Sequence, residues 1–160
     1  MRASGRENVL IGLISDTHGL LRPEAVQALQ GVDLLIHAGD IGRPEILDGL
    51  RSIAPLVAIR GNNDTGPWAQ SLPATEVVEV GQAVLYVLHN VKELDLDPAA
   101  AGFSAVISGH SHQPSVVKRG NVVFVNPGSA GPRRFKLPIS VARLQVQGAS
   151  LTAEVVPLAV

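Results

Sequence analysis

Six short apolar runs, rich in valine, isoleucine and leucine, each stop at a cluster of polar residues. VLIGLIS leads into Asp16-Thr17-His18-Gly19, VDLLIHA into Gly39-Asp40, and LVAIR into Gly61-Asn62-Asn63-Asp64. AVLYVL leads into His89-Asn90, SAVIS into Gly109-His110-Ser111-His112, and VVFV into Asn126-Pro127-Gly128-Ser129. Runs this short, β-branched and bounded by glycine, have the pattern of buried strands. Helical signals lie between the early ones. RPEAVQALQG puts Pro23 in a first turn and Gly31 at a C-terminal cap, and PEILDGLRSI repeats the arrangement from Pro44. Strand and helix alternate through Arg60, which predicts parallel pairing with right-handed crossovers. After Thr75 the pattern changes to strand pairs joined by tight glycine or asparagine turns, TEVVEV-GQ-AVLYVL, SVVK-RGN-VVFV and SVARLQVQ-GAS-LTAEVV, which predict antiparallel hairpins. The expectation is one α/β domain with mixed sheet pairing over residues 1–160.

Composition narrows the function classes. With 46% hydrophobic and 17% charged residues the chain can bury a core, and 3% aromatics make that core aliphatic. Thirteen basic residues against fourteen acidic ones leave a net charge of -1, so no nucleic-acid-binding surface is expected. Absence of cysteine excludes disulfides, thiolate nucleophiles and cysteine-zinc sites, and points to a cytoplasmic location. No apolar stretch approaches the length of a membrane span, so no membrane association is expected. A homo-oligomer is compatible with everything above. The chain has no Gly-x-x-x-x-Gly-Lys-Ser/Thr cradle for a nucleotide and no Gly-x-Ser-x-Gly elbow for a serine hydrolase.

In open α/β sheets ligands sit outside the carboxyl ends of the strands. If the six runs lie alongside one another, their loops carry Asp16, His18, Asp40, Asn62, His89, His110 and His112 to one edge. Singly, each has a plainer role: a turn for Asp-x-His, a helix cap for Asp40, a turn for GNND, a hydrogen-bonded strand end for His89. Jointly they are harder to explain that way, because four of the five histidines, all but His37, fall at strand-to-loop boundaries. Oxygen and nitrogen donors without sulfur suit divalent Mn, Fe, Co, Ni or Zn. Seven donors exceed what one ion takes while leaving room for substrate, whereas two ions sharing a carboxylate would use them. Two metals about 3.5–4 Å apart can hold a hydroxide and clamp a phosphoryl group, so the chemistry suggested is hydrolysis at phosphorus.

Taken in order, the blocks Asp16-x-His18, Gly39-Asp40, Gly61-Asn62-x-Asp64, His89 and Gly109-His110-x-His112 resemble those of the calcineurin-like metallophosphoesterases, in particular their small single-domain bacterial and archaeal branch. The resemblance runs from about Leu10 to Arg133 and includes Asn126-Pro127-Gly128-Ser129. It implies a four-layer sandwich of two mixed β-sheets flanked by helices. It also implies Asp16, His18 and His112 on one divalent ion, Asn62, His89 and His110 on a second, and Asp40 bridging them. Manganese is the leading metal, with iron, nickel, cobalt or zinc as alternatives. The implied activity is a phosphodiesterase acting on a small phosphoester. A phosphomonoesterase or nucleotidase on the same site is the alternative, as is a non-catalytic protein-binding scaffold, since the fold is reused in an endosomal coat subunit.

This chain departs from the family pattern at several places. Many relatives carry histidine inside the Gly-Asn-x-Asp/Glu block as a phosphate contact and general acid. Here the position is Asn63, which can hydrogen-bond a phosphate oxygen but cannot deliver a proton at neutral pH. Asn90 follows His89 where relatives often have glycine, and GDIGRPE lacks the longer block of the Ser/Thr protein phosphatases. Arg133, in GPRRFK, is a candidate substrate contact because guanidinium matches phosphate oxygens. His37 reads as a core histidine bonded to backbone, with a role in orienting a ligand as the alternative. Trp68 is a candidate wall of the cleft, although packing explains it equally well.

Overall fold

The computed structural model describes residues 2–4 and 8–160, the first three as backbone only. Its strands are β1 (Arg2–Ser4), β2 (Asn8–Ile14), β3 (Leu34–His37), β4 (Leu56–Ala58), β5 (Thr75–Val80), β6 (Ala83–Leu88), β7 (Ala105–Ile107), β8 (Ser115–Arg119), β9 (Val122–Asn126), β10 (Ser140–Gln147) and β11 (Ser150–Pro157). The α-helices are α1 (Pro23–Ala28), α2 (Pro44–Arg51) and α3 (Pro67–Gln70), and each has proline in its first turn, where the missing N–H costs nothing.

The strands form two mixed sheets, one of six in the order β1-β5-β6-β7-β9-β8 and one of five in the order β11-β10-β2-β3-β4. The crossovers through α1 and α2 make β2, β3 and β4 parallel, and the three glycine or asparagine turns make the hairpins β5–β6, β8–β9 and β10–β11. The six runs therefore do not share one sheet. β2, β3 and β4 belong to one, and β6, β7 and β9, which pair in parallel, belong to the other. The short parallel pairing of β1 with β5 adds an edge that no apolar pattern announced.

The sheets pack face to face on an aliphatic core. Ile11, Leu13 and Ile36 from one side and Val80, Leu85 and Ile107 from the other have no exposed surface. The outer face of the five-stranded sheet is covered by α1 and α2 through Ala25, Leu29, Leu47 and Leu50. On the six-stranded sheet the outer cover is thinner. Leu94, Tyr86 and Phe124 pack on Leu88, Val106 and Val122, and the segment carries only a 3-10 turn, Val91–Glu93, capped by the Asn90 side chain accepting from the Lys92 N–H. The Asp97 side chain accepts from the N–H groups of Ala99 and Ala100 and so caps the turn that follows. Among the described residues no helix is long and apolar enough to cross a membrane.

Candidate metal centre

The carboxyl ends of β2, β3 and β4 meet those of β6 and β7 at one end of the sandwich, and there the loops lock together. The Asp16 and His18 N–H groups donate to the carbonyls of Gly39 and Asp40, joining the first loop to the second. The Asp64 carboxylate accepts from the N–H groups of Ile41, Gly42 and Gly61 at 3.0, 3.0 and 2.8 Å, joining the second to the third. Gly61 abuts the Asp40 side chain and Gly109 abuts Ser15 and Asp16, so a Cβ at either position would strike a carboxylate of the site.

Asp16, His18, Asp40, His110 and His112 all adopt left-handed backbone, with φ of 56, 45, 57, 71 and 61°. Among the described residues the only other non-glycine there is Phe135. Each such residue costs about 1–2 kcal/mol and persists only where its surroundings impose it. Here the strain turns side chains inward. Asp16 Oδ1 lies 3.4 Å from His112 Nε2, 3.7 Å from His18 Nε2 and 3.8 Å from His89 Nε2. Asp40 Oδ2 lies 3.3 Å from His89 Nε2 and 3.8 Å from His18 Nε2, while the two imidazoles of His18 and His112 approach to 3.4 Å. Two overlapping groups result, Asp16-His18-His112 and Asp16-Asp40-His89, each with its donor atoms within 4.8 Å of one another.

The remaining hydrogen bonds leave the facing atoms bare. Asp16 Oδ2 accepts from Ser15 Oγ at 2.7 Å and from the His110 N–H at 3.0 Å, but Oδ1 has no partner. His89 Nδ1–H donates to the Ala38 carbonyl at 2.7 Å, which fixes the ring so that Nε2 faces the carboxylates. That Nε2 is likewise buried without a partner, as is His112 Nδ1, the nitrogen opposite the Nε2 that faces Asp16. Buried polar atoms are nearly always paired, so the facing orphans Asp16 Oδ1 and His89 Nε2, 3.8 Å apart, mark a place for a cation. The all-oxygen-and-nitrogen donor set fits a divalent metal of the Mn-to-Zn series.

The electrostatics agree. Burial alone would raise Asp16, yet the facing imidazoles of His112 and His18, the charge of His89 and the Ser15 hydroxyl hold it well below the usual carboxylate range. Asp40 is opposed by burial and still lowered, by His89 and the Asn63 N–H. His18 is raised by the nearby Asp16 carboxylate, against burial and against the cation of Arg134, and His89 is raised by Asp40 and Asp16 against its burial. The carboxylates are thus ionised and ready to bind a cation, and the protons that they hold on the imidazoles are what an entering cation would displace.

The other candidates fall around this cluster. His110 is exposed, with its ring edge-on to His89 at 5.2 Å, and the exposed Asn62 lines a cavity of about 670 Å³ together with His89 and His110. Asn63 holds Asp40: its N–H donates to Oδ1 at 2.9 Å and its Nδ2 to Oδ2 at 3.0 Å. The Arg133 guanidinium donates to the carbonyls of Leu137 and Val160, and it is the neighbouring Arg134 whose charge acts on His18. Trp68 packs with the helix-side core, its indole lying against Gly66. His37 is a core histidine bonded to backbone and to the Thr17 hydroxyl. It is fully buried, accepts the Gly39 N–H on Nδ1 and bonds Thr17 Oγ1 through Nε2 at 3.0 Å. Thr17 spends its own proton on the Ile41 carbonyl, so His37 must donate from Nε2 and is neutral, and burial lowers its pKa to about 4.

Sequence reasoning assigned no role to Ser15, Asp64, Asn126 or Ser129 as individual residues. Asn126 Nδ2 donates to the Gly109 carbonyl and to Ser111 Oγ, both at 3.0 Å, and so pins the turn bearing the two histidines. Ser129 Oγ donates to the Asp16 carbonyl at 3.0 Å. The sequence marks these residues as polar positions at strand ends, but not which loop each one bonds.

The sequence from residue 9 to residue 149 matches the calcineurin-like phosphoesterase superfamily domain. The chain belongs to the calcineurin-like phosphoesterases. A probable metallophosphoesterase of Methanothermobacter thermautotrophicus is 34% identical to this chain over 92% of each. A phosphodiesterase of Methanocaldococcus jannaschii is 26% identical over 74% of this chain and 82% of its own. Among solved structures, Vps29 of Chaetomium thermophilum superposes with a TM-score of 0.76 at 23% identity, over 94% of this chain and 97% of Vps29, a likeness of fold.

Proposed function

We propose that this protein is a metal-dependent phosphodiesterase that uses two divalent cations, manganese first, to hydrolyse a small phosphodiester. The observation that carries the reading is the pair of overlapping donor groups, which share Asp16 and contain the facing buried atoms with no partner, Asp16 Oδ1 and His89 Nε2. The similarity to a phosphodiesterase of Methanocaldococcus jannaschii supports it. Asp16, His18 and His112 would hold one cation, and Asp40 and His89 the other, with His110 and Asn62 completing the second from the cavity side. Asp40 Oδ2, within 3.8 Å of His18 and 3.3 Å of His89, reaches both groups and is the proposed bridge. When bound, the cations supply Lewis-acid catalysis, neutralising the phosphoryl oxygens and activating water at neutral pH.

The chain's own residues supply position. Asn63 clamps both oxygens of Asp40, and Ser15 with the His110 N–H clamps Asp16 Oδ2, so each carboxylate presents a fixed oxygen to the centre. With asparagine at position 63 no side-chain acid in that block protonates the leaving alcohol. That favours esters whose alcohol leaves readily. The test is metal-dependent turnover of bis(p-nitrophenyl) phosphate against p-nitrophenyl phosphate. We expect the diester to be preferred. A strong preference for the monoester would replace this activity with a phosphomonoesterase or nucleotidase, and no turnover of either with any divalent ion would overturn the reading.

The fold shared with Vps29 suits a second reading, a protein-binding scaffold without catalysis. Retention of every metal-donor position speaks for the enzyme, and metal-dependent turnover separates the two.

A further inference from the structure

Beside the donor cluster lies the cavity of about 670 Å³, within the size range of small-molecule sites. Its inner end is made by Asn62, His89 and His110, so a phosphoester held at the cluster extends one of its alcohol groups into this space. Its outer wall carries Glu93, at the end of the 3-10 turn, and Asp95 just beyond. Both are exposed, and neither carboxylate has a hydrogen-bond or ion-pair partner among the described residues. The basic residue of the lining, Arg60, turns its guanidinium to the Leu72 carbonyl and keeps its charge, and Glu93 and Asp95 outnumber it. Tyr86 adds an aromatic wall, held in place by stacking on Phe103 at 4.9 Å between ring centroids.

Two unpaired carboxylates and a fixed aromatic ring form a surface that attracts an organic cation and repels a second anion. We propose that this cavity binds the alcohol portion of the substrate and selects a cationic one, an amino or quaternary ammonium alcohol esterified to phosphate. The proposal rests on the phosphoesterase reading for its phosphate end only. A nucleoside polyphosphate or sugar bisphosphate would bring its extra charge against Glu93 and Asp95, and is disfavoured.

The test is calorimetric titration of the manganese-loaded protein with phosphocholine and, separately, with ethyl phosphate, which has the same phosphate but an uncharged tail. We expect phosphocholine to bind roughly fivefold to tenfold more tightly, the scale of one or two exposed ion pairs. The double variant Glu93→Gln/Asp95→Asn should erase the difference. If it folds poorly, Asp95→Asn alone should reduce it. Glu154→Gln, which removes one charge on β11, should leave the ratio unchanged. Equal affinities, tighter binding of ethyl phosphate, binding of neither, or a preference that survives the double variant would overturn the proposal. A parallel assay with p-nitrophenyl phosphorylcholine and ethyl p-nitrophenyl phosphate separates the two ideas. Absence of turnover on both counts against the hydrolase, while the binding ratio still decides the cavity.

Discussion

At the scale of single residues, the site combines side chains that face the centre with others that hold them there. Asp40 is the clearest of the first kind. Asp40→Asn keeps its size but replaces one acceptor oxygen with an amide that repels a cation, and it removes charge from the proposed bridge. We expect metal affinity and diester hydrolysis to fall on the order of a hundredfold or more, read by titration and by initial rates. Retention of both would remove Asp40 from the bridging position. His37 is of the second kind, and its burial makes a pH prediction. Burial pushes its pKa down to about 4 from the ordinary 6.5, so between these values the unfolded chain takes up a proton that the native chain refuses. Stability from a neutral His37 is complete above pH 6.5 and is lost as the pH falls toward 4. Relative to His37→Gln, the metal-free wild type should lose about 1.4 kcal/mol per pH unit across that window, measured by denaturant melts. A pH-independent difference would mean that His37 is not held neutral by the fold.

At the scale of elements, what matters is where each strand ends and what its loop touches. Gly109, just beyond β7, lies against Ser15 and Asp16 beyond β2, so this contact joins the two sheets at the site. We expect Gly109→Ala to push the Asp16 turn out of place, destabilising the fold by about 1–3 kcal/mol and weakening metal binding more than a core substitution of equal cost. Thermal melts and metal titration on the same variant check this, and unchanged metal affinity would contradict it. The ends of the elements were also what the sequence showed best. Runs such as VLIGLIS and VDLLIHA stop where buried apolar backbone gives way to polar loops, and that boundary is written in residue type. The hairpins were legible because GQ, RGN and GAS have few other uses between apolar strands. Assignment of strands to two sheets was not, because strands buried on both faces show no alternation and their partners are chosen by contacts far away in sequence. The thin cover over β6 and β9 escaped for a related reason, since VKELDLDPAA has no periodicity that favours packing over exposure. At the site, donor residues could be read from the strand ends. The clamp of Asn63 on Asp40, the Asp64 cradle and the contrast between Arg133 and Arg134 could not, because side-chain partners across loops leave no trace in spacing.

At the scale of the whole molecule, two sheets share one aliphatic core and place the polar loops of both at one end. Cations bound there would tie the sheets together, because Asp16, His18 and Asp40 come from the five-stranded sheet and His89, His110 and His112 from the six-stranded one. Metal at a hundred times its dissociation constant adds about 2.7 kcal/mol per site to native stability. We therefore expect the melting temperature to rise by several degrees on adding manganese and to fall again with chelator, and no shift at saturating metal would argue against binding at the seam. The most direct test is the number of divalent ions held per chain, measured by elemental analysis after manganese loading and removal of free metal. The proposed pair of donor groups predicts about two for the wild type and one or fewer for Asp40→Asn. A wild-type value below one, even at saturating metal, would contradict it.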